Sequence, residues 1–150
     1  MGIKVVATNR KARHEYILLD TYEAGLVLKG SEIKSIRAGQ ISLAQAYVSL
    51  DGNEAWLVNS HIAPYNEASR NNHDPLRPRK LLLHRTEIHK LSDKVRQKGA
   101  TVIPLRLYLK DGRAKIEIAL AKGKKHYDKR AEIAKRDAKR EMDRRYKQRR

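Results

Sequence analysis

The chain has no cysteine and no phenylalanine among its 150 residues. Without cysteine there are no disulfides, thiol nucleophiles or cysteine-ligated zinc sites, and the chain suits a reducing compartment. No apolar run approaches the roughly 20 residues that a membrane-spanning helix needs. The opening MGIKVVATNRKARHEY lacks the apolar stretch of a signal peptide, and Val6 stands where myristoylation requires Ser or Thr. These absences predict a cytoplasmic protein with no membrane attachment. Catalytic motifs are missing as well: there is no GxxxxGK[ST], no GxGxxG and no HExxH. His84 and His89 are five residues apart, off ligand spacing on a helix, so the six histidines read as solvated or structural. Ser31, Ser35 and Ser60 have no adjacent triad pattern. His14 and Glu15, if neighbours in a strand, point to opposite faces. No enzyme activity, cofactor or metal is expected.

Positive charge is abundant. Thirty-four Lys and Arg against 17 Asp and Glu give +17, which favours a nucleic-acid partner. Residues 122–150 hold 14 of those cations against five acids. Their only sizeable apolar side chains besides Tyr127 are Ile133, Met142 and Tyr146. A helix polar all round is not held by a core. The pairs Glu132/Arg136 and Glu141/Arg145 add only a few tenths of a kcal/mol each. The expectation is a basic C-terminal tail over residues 122–150, disordered when free and helical on a polyanion, following a folded body over residues 1–121. An anionic membrane would require Leu, Phe or Trp opposite the charge, and the tail lacks that face.

Within the body, residues 1–13 read as a short arm carrying the basic cluster Arg10, Lys11 and Arg13. Apolar stretches predict strands over 16–20 and 25–28. A short helix follows, capped by Ser31 and stopped by Gly39, with Ile33 and Ile36 inward. Two Asp-Gly turns, at 51–52 and 111–112, predict hairpins joining 46–50 to 55–59 and 102–110 to 113–121. In the second hairpin Leu105, Leu107 and Leu109 alternate with Arg106, Tyr108 and Lys110, so one face is core and the other a basic surface bearing an aromatic ring. Pro104 predicts a bulge or edge there. A polar, proline-broken loop spans 66–80, a strand 81–83, and an amphipathic helix 86–98 with Ile88, Leu91 and Val95 on one face and Gly99 as its stop. Tyr16, Tyr22, Tyr47 and Trp56 read as packing residues, whereas Tyr127, among cations, reads as a ring for stacking on a base. The fold class expected is mainly β with short α: an OB-like closed β-barrel with embedded helices.

The stretches NRKARHEY (9–16), YEAGLVLKGSEIKSIRAG (22–39), DPLRPRKLLLH (74–84) and ALAKGKKHYDKR (119–130) together resemble the small protein B family, the SsrA-binding proteins of bacterial trans-translation. The resemblance implies a non-catalytic adaptor. Its barrel would bind the tRNA-like domain of transfer-messenger RNA and bring it to a stalled ribosome. Its tail would enter the decoding centre and empty mRNA channel of the small subunit and form a helix there. Asn9, Glu23 and Leu82 match family positions implicated in RNA binding, with Arg10, Lys11 and Arg13 beside Asn9 as phosphate contacts. Arg79, Lys80 and Lys110 complete the expected RNA-binding set. Gly123, Lys124, Lys125, Tyr127, Asp128, Lys129 and Arg130 match segments associated with the ribosome. A monomer is expected. The alternative is a structural ribosomal or initiation-type OB protein, which needs the same charge but leaves the four matched stretches unexplained.

Overall fold

A computed structural model describes residues 2–65 and 72–124, together with Arg140. The expected tail positions Lys125, Tyr127, Asp128, Lys129 and Arg130, and part of the 66–80 loop, lie outside the described residues. Among the described residues, nine strands and three helices run in the order β1 (Ile3–Thr8), α1 (Ala12–Glu15), β2 (Tyr16–Leu26), α2 (Gly30–Arg37), β3 (Ile41–Ser42), β4 (Tyr47–Asp51), β5 (Glu54–Val58), β6 (His61–Ile62), β7 (Arg79–Leu82), α3 (Arg85–Lys98), β8 (Thr101–Lys110) and β9 (Arg113–Gly123). The protein is therefore mainly β with few helices, as expected.

Seven strands pair in the order β1-β8-β4-β5-β7-β2-β9, and β9 pairs again with β8. All these pairings are antiparallel. The remaining strands, β3 and β6, form a separate pair. Inside the sheet, Ile36, Leu57, Leu91, Leu107, Ile116, Ile118 and Leu120 are almost wholly buried in one cluster. Burying such a side chain contributes about 1.5–3 kcal/mol, so this cluster is the principal source of stability. A second, smaller cluster joins Ala12 of α1 to Ile103, Leu105, Ala119 and Ala121.

Local chemistry sets many boundaries. Asp111 and Gly112, both at positive φ, close the β8–β9 hairpin. The first hairpin closes one residue later than expected. Asp51 pairs with Glu54, leaving Gly52 (φ +59°) and Asn53 as the turn. A register shift falls between Pro104 and Arg106, where the proline removes a ladder donor. Gly39 and Gly99, at φ +75° and +60°, follow α2 and α3 as left-handed stops.

Four expectations are corrected. Residues 3–8 are not a free arm but strand β1, paired from Ile3↔Lys110 to Thr8↔Arg106. The strands expected at 16–20 and 25–28 are one 11-residue strand, because β9 offers a continuous partner from Gly123 to Lys115. His14 and Glu15 sit on the single helical turn α1, not in a strand. Ser31 lies within α2 rather than capping it: Lys29 holds the cap position, and its N–H donates to Glu32 Oε1 at 2.7 Å.

Candidate nucleic-acid interface

Side chains opposite one another on antiparallel strands share a face, and residues two apart along a strand do too. The registers therefore define one outer face across β1, β8, β9, β2 and β7. One row runs Val5, Tyr108, Lys115, Gly25, Leu82. The next runs Thr8, Arg106, Glu117, Glu23. The opposite faces of these strands supply core residues such as Ala24, Leu81, Leu107 and Ile116. The polar face expected for the β8–β9 hairpin is thus extended by β2 and β7, bringing Glu23 and Leu82 onto the surface that carries Lys110.

Tyr108 departs from the expected surface ring. It is 2% exposed. The Arg106 guanidinium lies 5.0 Å from its ring centroid, and its hydroxyl donates a hydrogen bond to Glu23 Oε2. Burial, then the bond to Glu23, push its pKa up to about 12. Glu23 is held below the usual carboxylate range first by the Tyr108 hydroxyl, then, against a smaller opposing effect of burial, by Lys110 and Lys115. Lys110 Nζ stands 3.8 Å from Glu23 Oε1, and Arg106 Nη2 stands 3.4 Å from Glu117 Oε2.

Apolar surface adjoins this charged row. Leu82 is 56% exposed and Val27 46%, so Leu82 does not pack inside the sheet. It leans across Gly25: a Cβ at Gly25 would lie 3.3 Å from Leu82 Cδ1. Lys80 pairs with Trp56 across β5–β7 and meets Glu54 at 3.5 Å. Trp56, half-buried, donates from Nε1 to Glu54 Oε2 at 3.2 Å. Tyr47, expected to pack, is 43% exposed.

The N-terminal cluster adjoins the same face. The Asn9 N–H donates to Leu105 O at 2.7 Å and its Nδ2 to Pro104 O at 3.0 Å, which pins the turn into α1. Its Oδ1 is buried without a hydrogen-bond partner among the described residues. Arg10, Lys11 and Arg13 are exposed around that turn. A cavity bounded by Thr8, Arg10, Arg13, Arg106 and Glu117 joins them to the sheet face. Gly123 ends β9 opposite Tyr16, and Lys124 follows it, so the chain leaves the sheet beside α1.

Arg79 is a correction. Expected among the RNA contacts, it is fully buried. Its Nε donates to Glu32 Oε2 at 2.6 Å, Nη1 to Ser60 O at 2.7 Å and Nη2 to Asp74 O and Pro75 O at 3.3 and 3.2 Å. Arg77 closes on Glu32 Oε1 at 2.5 Å. Burial pushes the Glu32 carboxyl up, but donors from Arg77, Lys29 N–H and Arg79 outweigh it and leave the group below its ordinary value. His73, also buried, bridges Ser31 Oγ at 2.8 Å and Ile62 O at 2.9 Å. The Ile62 carbonyl needs a donor, so Nε2 carries hydrogen, and neutral Nδ1 accepts from Ser31. Within the DPLRPR stretch Arg77 and Arg79 therefore fasten α2 to β6 and β7, while Asp74, Leu76 and Pro78 stay exposed. Sequence reasoning missed this network because its contacts to α2, from His73, Arg77 and Arg79, join residues 42 to 47 apart. The one available signal was the pair of arginines in an otherwise proline-broken loop. Among the described residues no group of three or more His, Asp or Glu is placed to hold a metal, and no helix is long and apolar enough to cross a membrane.

Comparison with known proteins bears on the face and the fold together. The SmpB protein family model matches residues 6–148. The SsrA-binding protein of Desulforudis audaxviator (strain MP104C) is 60% identical over 141 residues, spanning 94% of this chain and 92% of its own. That of Persephonella marina (strain DSM 14350 / EX-H1) is 58% identical over 147 residues, spanning 98% and 97%. A solved structure described as "tmRNA-SmpB: a journey to the center of the bacterial ribosome" superposes with a TM-score of 0.66 at 48% identity, covering 78% of this chain and 82% of that one.

Proposed function

The chain belongs to the SmpB protein family, and from that membership we propose that it is a non-catalytic RNA-binding adaptor of trans-translation in the cytoplasm. It binds the tRNA-like domain of transfer-messenger RNA and delivers that RNA to stalled ribosomes. The observation that carries the reading is 58–60% identity to SsrA-binding proteins over nearly the whole chain. The outer face supplies a physical means. Arg10, Lys11, Arg13, Lys80 and Lys110 hold phosphates, Glu23 and Leu82 meet sugar or base, and Asn9, its Nδ2 on Pro104 O and its Oδ1 buried, serves the RNA by pinning the turn that carries the basic cluster. The body is an OB-like barrel, a reading supported by pairings that run from β8 through β4, β5, β7, β2 and β9 back to β8.

The expected tail, 122–150, starts inside the last strand, since Lys122 and Gly123 pair with Ile17 and Tyr16; the chain from the end of β9 onward acts separately as the ribosome-facing tail. Gly123, Lys124, Lys125, Lys129 and Arg130 meet ribosomal phosphates, Asp128 pairs with a neighbouring donor, and Tyr127 stacks in the decoding centre. The following segment becomes helical in the empty mRNA channel once phosphate relieves its self-repulsion. The test is a binding titration of the full chain against the tRNA-like domain and an ordinary tRNA over a salt series. Tighter binding to the tRNA-like domain at every salt concentration is expected. Equal, steeply salt-dependent binding to both would overturn the reading.

A further inference from the structure

An acidic side chain fixed on a basic RNA-binding face asks for a reason. Glu23 repels phosphate; its nearest cation is Lys110, whose ammonium stands 3.8 Å from Oε1 at a half-exposed position, with Lys115 a second positive neighbour. On its other oxygen Glu23 accepts a hydrogen bond from the Tyr108 hydroxyl. That hydroxyl is held in place, because the ring is buried and covered by Arg106. The carboxylate is therefore aimed and kept as an acceptor while its side chain remains 42% exposed. A carboxylate has about four acceptor positions, so both oxygens keep outward lone pairs.

We propose that Glu23, aimed by Tyr108 beside Leu82, forms a subsite for one unpaired guanine of the bound RNA. The proposal rests on the adaptor reading above. Among the four RNA bases only guanine offers two adjacent N–H donors, N1–H and N2–H, on its Watson–Crick edge. Their spacing matches the two carboxylate oxygens. That edge is occupied in a duplex, so the base must be unpaired, the state in which RNA is ordinarily read. A base also needs an apolar surface. Leu82 provides one, since it lies over Gly25, two residues along β2 from Glu23 and on the same face. Two residues of strand span about 7 Å, close to the breadth of a purine. The glycine lets Leu82 lie close: a Cβ at Gly25 would stand 3.3 Å from Leu82 Cδ1, so a side chain there would displace Leu82 by a few tenths of an ångström. Lys115 and Lys110 flank the subsite and suit the adjoining phosphates. Tyr108 is thus a positioning residue that acts through Glu23.

The experiment uses the full chain and the tRNA-like domain, with each loop guanine replaced singly by inosine, which lacks the N2 amino group. One inosine position should weaken wild-type binding about tenfold, the scale of losing part of a bidentate base contact. In Glu23→Gln that same position should become indifferent to inosine, and Tyr108→Phe should reduce the discrimination without abolishing binding. Because Tyr108 is buried, each variant's thermal midpoint is measured alongside. Leu82→Ala, a change at an exposed position, provides a variant that keeps the fold. It should weaken guanine and inosine RNAs alike and leave their ratio intact. Inosine effects that persist unchanged in Glu23→Gln, or the absence of any sensitive guanine, would overturn the subsite while preference for the tRNA-like domain stood. Loss of that preference in the wild-type chain would overturn the adaptor reading and the subsite together.

Discussion

Arg79 and Glu32 meet at 2.6 Å with both side chains wholly shielded from solvent. The pair ties β7 to α2 at the same point where Arg77 closes on the other carboxylate oxygen. Breaking a buried pair leaves an uncompensated charge, at a cost of about 3–5 kcal/mol. Arg79→Ala should therefore lower stability by that order in urea unfolding. Arg79→Lys should also fail to restore it, because one ammonium does not reach Glu32, Ser60 and Pro75 as the forked guanidinium does. Under conditions where the variants remain folded, RNA affinity should be unchanged. A selective loss of affinity with stability intact would return Arg79 to the interface.

The same carboxylate sets an acid limit. The folded pKa of Glu32 lies below its ordinary value of 4.5. A depressed carboxyl contributes stability that is fully present above the unfolded value and is lost as pH falls through the folded one. Stability should therefore fall as the pH drops below about 4.5, and Glu32→Gln, less stable at neutral pH, should show a flatter acid limb. Chemical denaturation at a series of pH values checks it. Parallel acid limbs in the two proteins would sink the assignment.

Features governed by neighbours in sequence were legible; those governed by distant partners were not. Asp111-Gly112, Pro104 and the α3 stripe Ile88, Leu91 and Val95 each announce themselves within a few residues, and each appears where expected. Strand β1 did not, because IKVVAT becomes a strand only beside β8, about a hundred residues later. The interface divides the same way. Alternation in the hairpin placed Arg106, Tyr108 and Lys110 on one side, but only the β2–β9 register brings Glu23 to Tyr108, 85 residues away. That pairing explains why the ring is buried. Arg79 was misassigned because a charge beside Lys80 reads as surface until Glu32 is seen beneath it.

His73 offers a test of the buried network that does not involve a salt bridge. Its ring satisfies Ser31 Oγ and Ile62 O at once. His73→Ala strands both, and a buried group left unsatisfied costs about 1–3 kcal/mol. A loss of roughly 2–4 kcal/mol is expected, read as a shift in the denaturant midpoint at unchanged slope. A loss below about 1 kcal/mol would mean that water reaches the site and replaces the ring.

Turn chemistry provides a smaller effect at a defined place. Gly112 sits at φ +79° with open space where a Cβ would be. Gly112→Ala therefore introduces backbone strain without a clash, and should cost about 1 kcal/mol. Gly30 also has open space, but without positive φ; it is the first residue of α2. Gly30→Ala should be neutral or slightly stabilising, since alanine loses less backbone freedom on folding. Midpoints that moved together would show that the turn's handedness is not the cause.

The basic cluster makes the most direct prediction about RNA. Arg10, Lys11 and Arg13 are exposed around a turn pinned by Asn9, and none is the partner of a core residue. Replacing all three by alanine should leave thermal unfolding nearly unchanged, since the turn is held by Asn9 and by burial of Ala12. Each lost phosphate contact should reduce the slope of log affinity against log salt by about 0.7–0.9, the lower value applying to single strands. Three contacts would lower it by roughly two to three, with affinity falling most at low salt. The same triple variant should discriminate between guanine and inosine RNAs as the wild type does, because phosphate contacts position the RNA and do not read bases. An unchanged salt slope would place the cluster off the RNA, and would shift the electrostatic footprint toward Lys80, Lys110 and Lys115 on the sheet itself.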